Sequence, residues 1–366
     1  MKVALISPNI ESEKALAIIS KHLVESILKT GVDIELITYT AHSPMSFFKK
    51  LKEMKKYDII HLHHEYNLLG YYGLPFFFVF PLLKILGKKV IITMHTILPK
   101  NEKFPESRLK NILRKILYIS QNRLIKNSCD LIHVNENFLK EILIRDYHFS
   151  PDKIAIIPQG VIDNIKIPDK QKSRKELALS GKIYLAIGNL TVDSGADKII
   201  SQADKIGKTI LFVTNPRGAN TGNAKKVQDF IALNREIVEK NNFQQYVRFD
   251  LRELPVDLWW KYLSACDIVL QAYRGGVRSG VFSEAMAARK PVIASDINFF
   301  KEMAKKYGSL LIAEKDEDFP QLIREAMQPA KYKAMQKECE RYIKENRFSR
   351  ISEKYKGLYA NLFKNQ

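Results

Sequence analysis

Short apolar runs rich in Val, Ile and Leu alternate along the whole chain with stretches of helical period. In the first half the runs that predict strands are Lys2–Ser7, Asp33–Thr38, Ile59–His63, Val90–Thr93, Leu131–Val134 and Ile154–Ile157. In the second half they are Ile183–Gly188, Ile210–Thr214, Val247–Asp250, Ile268–Gln271, Pro291–Ala294 and Ser309–Ile312. Strands alternating with helices in this way predict an α/β chain made of two Rossmann-like, doubly wound parallel sheets, one after the other. Between the halves, Asp163-Asn-Ile-Lys-Ile-Pro-Asp-Lys-Gln-Lys-Ser-Arg-Lys-Glu176 is polar, carries a proline and holds no period, as linkers do. The boundary is therefore expected near Ile165, giving domains 1–165 and 166–349. Ligands of open α/β sheets bind beyond the carboxyl ends of the strands, so two such sheets predict a cleft between domains.

Composition adds bounds. The chain has 366 residues, 46% hydrophobic and 27% charged, enough for two cores. Cys129, Cys266 and Cys339 are far apart and odd in number, which disfavours a disulfide framework or a zinc cluster and fits a reducing cytoplasm. The start reads as a buried strand and not as a signal peptide, so a cytoplasmic protein is expected. The formal charge of +19 calls for an anionic partner. Phe47–Lys56 is basic and amphipathic, and Leu74–Leu86 is strongly apolar but carries two prolines and a lysine and is too short to span a bilayer. Two readings stand for this region: core and solvated helices, or contact with an anionic membrane surface at the inner face of the cell membrane. Nucleic acid is not expected as a partner, because the basic residues are dispersed and no binding module is recognisable.

The chemistry concentrates at strand ends. Arg274-Gly-Gly-Val-Arg-Ser-Gly280 follows a strand and opens a helix. Glycines let backbone approach a ligand closely, and a helix start offers unpaired N–H groups, so the turn predicts a phosphate or diphosphate site. Ser279, Gly280 and Val281 would supply backbone donors, with Arg274 and Arg278 as counter-charges. Glu284, four residues into that helix, is placed to accept two ribose hydroxyls, or else to form a helix-turn salt bridge. Gly188-Asn-Leu-Thr-Val-Asp-Ser-Gly195 is a second loop of phosphate-contacting type, in which Gly188, Asn189 and Gly195 are the candidates; a plain strand-to-helix connection would look similar. Arg217, in Thr214-Asn-Pro-Arg-Gly218, is either a phosphate clamp or a solvated loop residue.

In the first half His95 follows the strand Val90–Thr93, where a neutral imidazole can bond sugar hydroxyls or relay a proton; the alternative is a hydrogen-bonded core histidine. Glu65 is a candidate to receive an acceptor hydroxyl, against a role as a helix N-terminal acid. His61 and His63 lack a third ligand, so no metal is expected there, and Asp316-Glu-Asp318 reads as dipole complementarity at a helix start. No dinucleotide fingerprint follows the first strand, and no phosphate-loop motif or paired Cys-x-x-Cys occurs, which disfavours nicotinamide enzymes and phosphate-loop NTPases.

The run Ser283-Glu-Ala-Met-Ala-Ala-Arg-Lys-Pro-Val-Ile-Ala-Ser-Asp296, with Thr93-Met-His-Thr-Ile97, Ile157-Pro-Gln-Gly-Val161 and Leu263-Ser-Ala-Cys-Asp-Ile-Val269, resembles the retaining glycosyltransferases of family 4. The resemblance covers nearly the whole chain. It implies GT-B architecture, with the last helix, 350–366, completing the first domain. It also implies a nucleotide-diphosphate sugar (GDP- or UDP-linked) as co-substrate on the second domain, an acceptor on the first, and no obligatory metal or resident cofactor. The implied function is transfer of a hexose of mannose or glucose type to a glycan or lipid-linked cell-envelope acceptor, as in polysaccharide biosynthesis. The chain departs from the family pattern at Gly276, where an acid is usual, at Asn189 and Ser194, where a basic pair is usual, and at Gln159, where a histidine is usual. Arg274, Arg278, Arg217 or Lys198 would have to replace the lost charge. The competing reading is a non-catalytic partner or glycan-binding subunit with a degenerate donor site.

Overall fold

The computed structural model describes residues 1–102, 104, 107–163, 165–188, 190–215, 224–276 and 278–364. They form two compact units, Met1–Asp163 with Asn346–Gln366, and Asn164–Glu345.

The first unit carries strands β1 (Lys2–Pro8), β2 (Asp33–Tyr39), β3 (Ile59–His64), β4 (Lys89–Met94), β5 (Leu131–Val134) and β6 (Ile154–Ile156). Their order is β2-β1-β3-β4-β5-β6, and every pairing is parallel. The second unit carries β7 (Ile183–Ile187), β8 (Thr209–Thr214), β9 (Val247–Leu251), β10 (Ile268–Gln271), β11 (Val292–Ser295) and β12 (Leu310–Ala313). Their order is β12-β11-β10-β7-β8-β9, again all parallel. Each sheet therefore reverses its winding beside its own first strand, between β1 and β3 and between β7 and β10. Chain leaving such a pair of strands goes to opposite faces of the sheet, and this opens a crevice at their carboxyl ends.

All twelve predicted strands are present. Parallel sheets are covered on both faces, and β1, β3, β7 and β10 are buried along almost their full length.

The helix Phe348–Lys364 returns to the first unit. Its Phe348, Ile351, Tyr355 and Tyr359 join Val3, Leu5, Leu23 and Ile27 in one core. The entry to this helix is fixed by Val161, whose N–H donates to the Asn346 carbonyl at 2.7 Å and whose carbonyl accepts from Phe348 N at 2.9 Å. Gly160 is required there, since a β-carbon would lie 2.2 Å from the Phe348 ring.

Phe47–Lys56 is not one helix but two short ones, Pro44–Phe48 and Leu51–Met54, with Phe47 and Met54 buried. Leu74–Leu86 contains the helix Phe76–Ile85, which buries Phe76, Val79, Phe80 and Leu83 and leaves Phe78 and Ile85 exposed. Among the described residues no helix is long and apolar enough to cross a membrane.

Candidate active site

At the switch point of the second sheet, the loops after β7 and β10 enclose a pocket of about 210 Å3. Gly188, Thr191, Asp193 and Ser194 line one side, and Tyr273, Arg278 and Val281 the other. Gly195 explains how the loops come so close. Its φ is +65°, and a β-carbon would lie 2.0 Å from the Ala272 carbonyl oxygen. Gly188, at φ +131°, leaves room beside it for Val281 and the Trp259 ring.

The helix Gly280–Ala287 begins at this pocket. Ser279 is its N-cap, with Oγ accepting from Phe282 N at 3.1 Å and the Tyr273 hydroxyl 3.3 Å away. This cap occupies one first-turn N–H. The amides of Gly280 and Val281 belong to the same turn, whose donors have no intrahelical acceptor.

The predicted cations separate. Arg278 lines the pocket. Arg274 instead clamps both carboxylate oxygens of Asp197 and donates to the Val192 carbonyl at 2.7 Å. It thus ties the basic turn to the loop after β7, and the Asp197 carboxylate holds its pKa above the usual guanidinium range. Lys198 lies 3.6 Å from Asp316, outside the pocket lining. Asn189 and Arg217 lie outside the described residues. Gly276, at φ +126°, is exposed with open space around it. Ser194, where a basic residue was expected by resemblance, lines the pocket without charge.

Glu284 is only slightly exposed to solvent, and burial raises its pKa from 4.5 to about 7. The Trp259 indole opposes this shift, although its buried N–H completes no full hydrogen bond. A carboxyl so placed gains from any ligand hydroxyl that donates to its ionised form. Trp259, Tyr273 and Asp193 were not singled out by sequence. The only available signal was that Trp259 is one of two tryptophans and precedes the family-like Leu263–Val269 run.

In the first unit four histidines, His61, His63, His64 and His133, are buried on or beside the central strands. His133 Nε2 is 2.9 Å from the Ile157 carbonyl, which can only accept, so Nε2 carries the proton and Nδ1 is an acceptor. Thr93 Oγ1 must then donate to His133 Nδ1 at 2.7 Å and accept from His61 Nε2 at 2.6 Å. His61 Nδ1 accepts in turn from the Tyr359 hydroxyl at 2.8 Å. The relay is fully satisfied and its imidazoles are neutral. Burial, reinforced by His63 and His133, holds the His61 pKa well below its usual value.

His63 Nδ1 is 3.0 Å from Ser20 Oγ, and that hydroxyl donates to Leu16 O, so His63 Nδ1 carries the proton. Among the described residues its Nε2 has no hydrogen-bond partner. His63 lines a cavity of about 20 Å3 together with His95, Asn135 and Gln159. The rings of His63 and His95 are 4.9 Å apart at nearly a right angle. His95 is half-buried at the end of β4, with its N–H bonded to His64 O at 3.2 Å. Glu65 is exposed at the end of β3. His61 and His63 are thus bound into protein hydrogen bonds, and among the described residues no group of three or more His, Cys, Asp or Glu is placed to hold a metal.

Two doubly wound parallel-sheet units, the second with a pocket at its switch point, are the layout of the GT-B class of fold, and comparison with known proteins gives the family. Residues 2–164 match the model of Glycosyltransferase Family 4, and residues 169–347 match that of Glycosyl transferases group 1. The chain belongs to glycosyltransferase family 4. It is 27% identical over 187 residues to mannosylfructose-phosphate synthase of Agrobacterium fabrum, a match over 48% of this chain and 40% of that protein. Among solved structures it resembles sucrose-phosphate synthase of Thermosynechococcus elongatus, with TM-score 0.75 and 17% identity over all of both chains. HepE of Anabaena, solved with UDP, matches with TM-score 0.72 and 13% identity over 99% of this chain and 100% of that one. At such identities the likeness is one of fold.

Proposed function

We propose that the protein is a retaining glycosyltransferase that moves a hexose of the glucose or mannose type from a nucleotide-diphosphate sugar to a glycan or lipid-linked acceptor. The observation that carries this reading is the pocket at the β7/β10 switch point, where helix amides, Arg278 and a raised-pKa Glu284 belong to one strand-turn-helix segment. A diphosphate on Gly280 and Val281 places its ribose toward the second turn of the same helix, where the Glu284 carboxylate accepts the ribose hydroxyls. When the bond from the anomeric carbon to the diphosphate oxygen breaks, negative charge grows on that oxygen. Helix amides and Arg278 stabilise it without reorganising. The acceptor oxygen bonds to the same face of the anomeric carbon, and its proton passes to the leaving diphosphate. His95 and Glu65 are assigned to the first unit's share of the reaction, holding sugar hydroxyls and the acceptor.

UDP is the first base to test, because HepE has been solved with UDP and with UDP-glucose. The departures at Gly276 and Ser194 are compatible with activity in this reading, since Arg278 supplies the charge. The test is thermal shift and calorimetry with UDP, GDP and their glucose and mannose conjugates, followed by product analysis with glycan, lipid-linked and hexose-phosphate acceptors. Arg278→Ala should weaken the nucleotide by about tenfold to a hundredfold, as expected for a charge-assisted hydrogen bond. A folded protein that binds none of these nucleotides would sink the reading and favour a non-catalytic subunit.

A further inference from the structure

The helix Arg108–Ser128 in the first unit carries an apolar stripe on the wrong side for packing. Leu109, Ile112, Leu113 and Ile116 recur at i, i+3, i+4 and i+7 and therefore share one face. All four are exposed, Leu109 at 69%. The opposite face carries the buried Tyr118, Gln121, Asn122 and Ile125, so the core does not claim the stripe. Basic residues border it on both sides: Arg108 and Lys115 along one edge, Lys110 and Arg114 along the other.

The helix Phe76–Ile85 packs beside Arg108–Ser128 and carries exposed apolar residues of its own. Phe78 is 68% exposed and Ile85 78%, and Tyr71, Tyr72 and Leu74 in the preceding turn are exposed as well. Neither 71–89 nor 108–128 contains an aspartate or glutamate, whereas together they carry nine lysines and arginines. Large apolar side chains surrounded by cations and free of anions match the two layers of an anionic bilayer surface, with acyl chains below and phosphates above.

We propose that this face of the first unit seats the protein on anionic lipid, with Leu109, Ile112, Leu113, Ile116 and Phe78 entering the acyl boundary and the flanking cations meeting lipid phosphates. This rests on the glycosyltransferase reading only for its biological sense; the lipid surface itself is read from exposure and charge. It also moves the expected contact away from Phe47–Lys56, whose apolar Phe47 and Met54 are buried.

The test is co-sedimentation of the full chain with phosphatidylcholine vesicles, with and without phosphatidylglycerol, scored beside UDP and GDP binding by calorimetry. Wild type should partition to the anionic vesicles and not to the neutral ones. Leu113→Glu with Ile116→Glu, and separately Lys110→Glu with Lys115→Glu, should each weaken that partition at least about tenfold. Phe78→Glu, on the neighbouring helix, should act in the same direction. Leu113, Ile116, Lys110 and Phe78 are exposed and Lys115 is half-buried, and unchanged melting temperature confirms folding. Vesicle binding equal to wild type in the Leu113 and Ile116 variant overturns the proposal. So does loss of self-association in that variant with vesicle binding unchanged, which would mean that a second copy covers the stripe. Nucleotide binding is read separately, so its failure would count against the donor site and not against the lipid surface.

Discussion

In the proposed donor site Glu284 would confer a pH dependence of known sign. Its carboxyl is near half ionisation at neutral pH because burial raises its pKa to about 7. In the proposed site ribose hydroxyls would donate to the ionised form, so nucleotide affinity is expected to scale with the ionised fraction, rising about tenfold between roughly pH 6 and 8. Glu284→Gln should be weaker at the upper pH and should lose this dependence, leaving only what the diphosphate's own ionisation contributes; calorimetry at both pH values measures the difference. The sign of the stability effect is opposite. A carboxyl whose folded pKa is raised contributes stability that is fully present below 4.5 and is lost as pH rises through about 7. Glu284→Gln should therefore gain on wild type by about 3 kcal/mol toward roughly pH 8. Equal pH slopes for the two proteins would refute the buried-carboxyl account. Gly195 offers a test of geometry at the same scale. Gly195→Ala combines positive φ with a 2.0 Å clash against backbone and should cost roughly 2–4 kcal/mol. Gly280→Ala, at a site with open space, should leave the melting temperature almost unchanged.

Strands β3, β4 and β5 are linked by more than their backbone ladder. The Thr93 hydroxyl accepts from His61 and donates to His133, so Thr93→Val strands the buried His61 Nε2–H and leaves His133 Nδ1 with only the longer contact to the Tyr355 hydroxyl at 3.4 Å. The variant should lose about 1–3 kcal/mol for the unpaired His61 group and a smaller amount at His133, and Thr93→Ser should recover most of it. If Val and Ser variants melt together, the hydroxyl is not what holds the relay. The strands themselves were legible in sequence because parallel sheets bury both faces, so that β4 reads as the continuous apolar run Val90–Thr93. The relay was not legible, because Tyr359 lies 298 residues from His61 and only the returning helix brings them together. The same limit applies at the donor site. The turn after β10 and Glu284 stood out by local pattern, but the pairing of Arg274 with Asp197, 77 residues away, did not. A guanidinium beside glycines looks like a phosphate ligand until its partner is known. At His61 and His63 alternation along a strand revealed a shared face, but not the Thr93 and Ser20 hydroxyls to which they are bonded.

At the scale of the whole molecule, the chain's last helix belongs to the unit that begins the chain. Residues 346–366 return to complete the core of 1–163 and carry Phe348, Ile351, Tyr355 and Tyr359 into it. The second unit has its own core, built from residues between Tyr184 and Met335. Removing residues 348–366 should therefore damage the two units unequally. The first would lose four large buried side chains, each worth about 2–5 kcal/mol on truncation, together with the Tyr359 hydroxyl that caps the histidine relay. That sum exceeds the stability of an ordinary domain, so Met1–Asp163 should unfold or become a loosely packed state. The second unit keeps its switch-point pocket, its helix start and Glu284, all inside Asn164–Glu345. Limited proteolysis with mass analysis should show cuts confined to the first unit, while calorimetry still detects nucleotide binding. Joint loss of both would mean that the second unit depends on the first for folding. Protection of both would mean that the returning helix adds little to the core it enters.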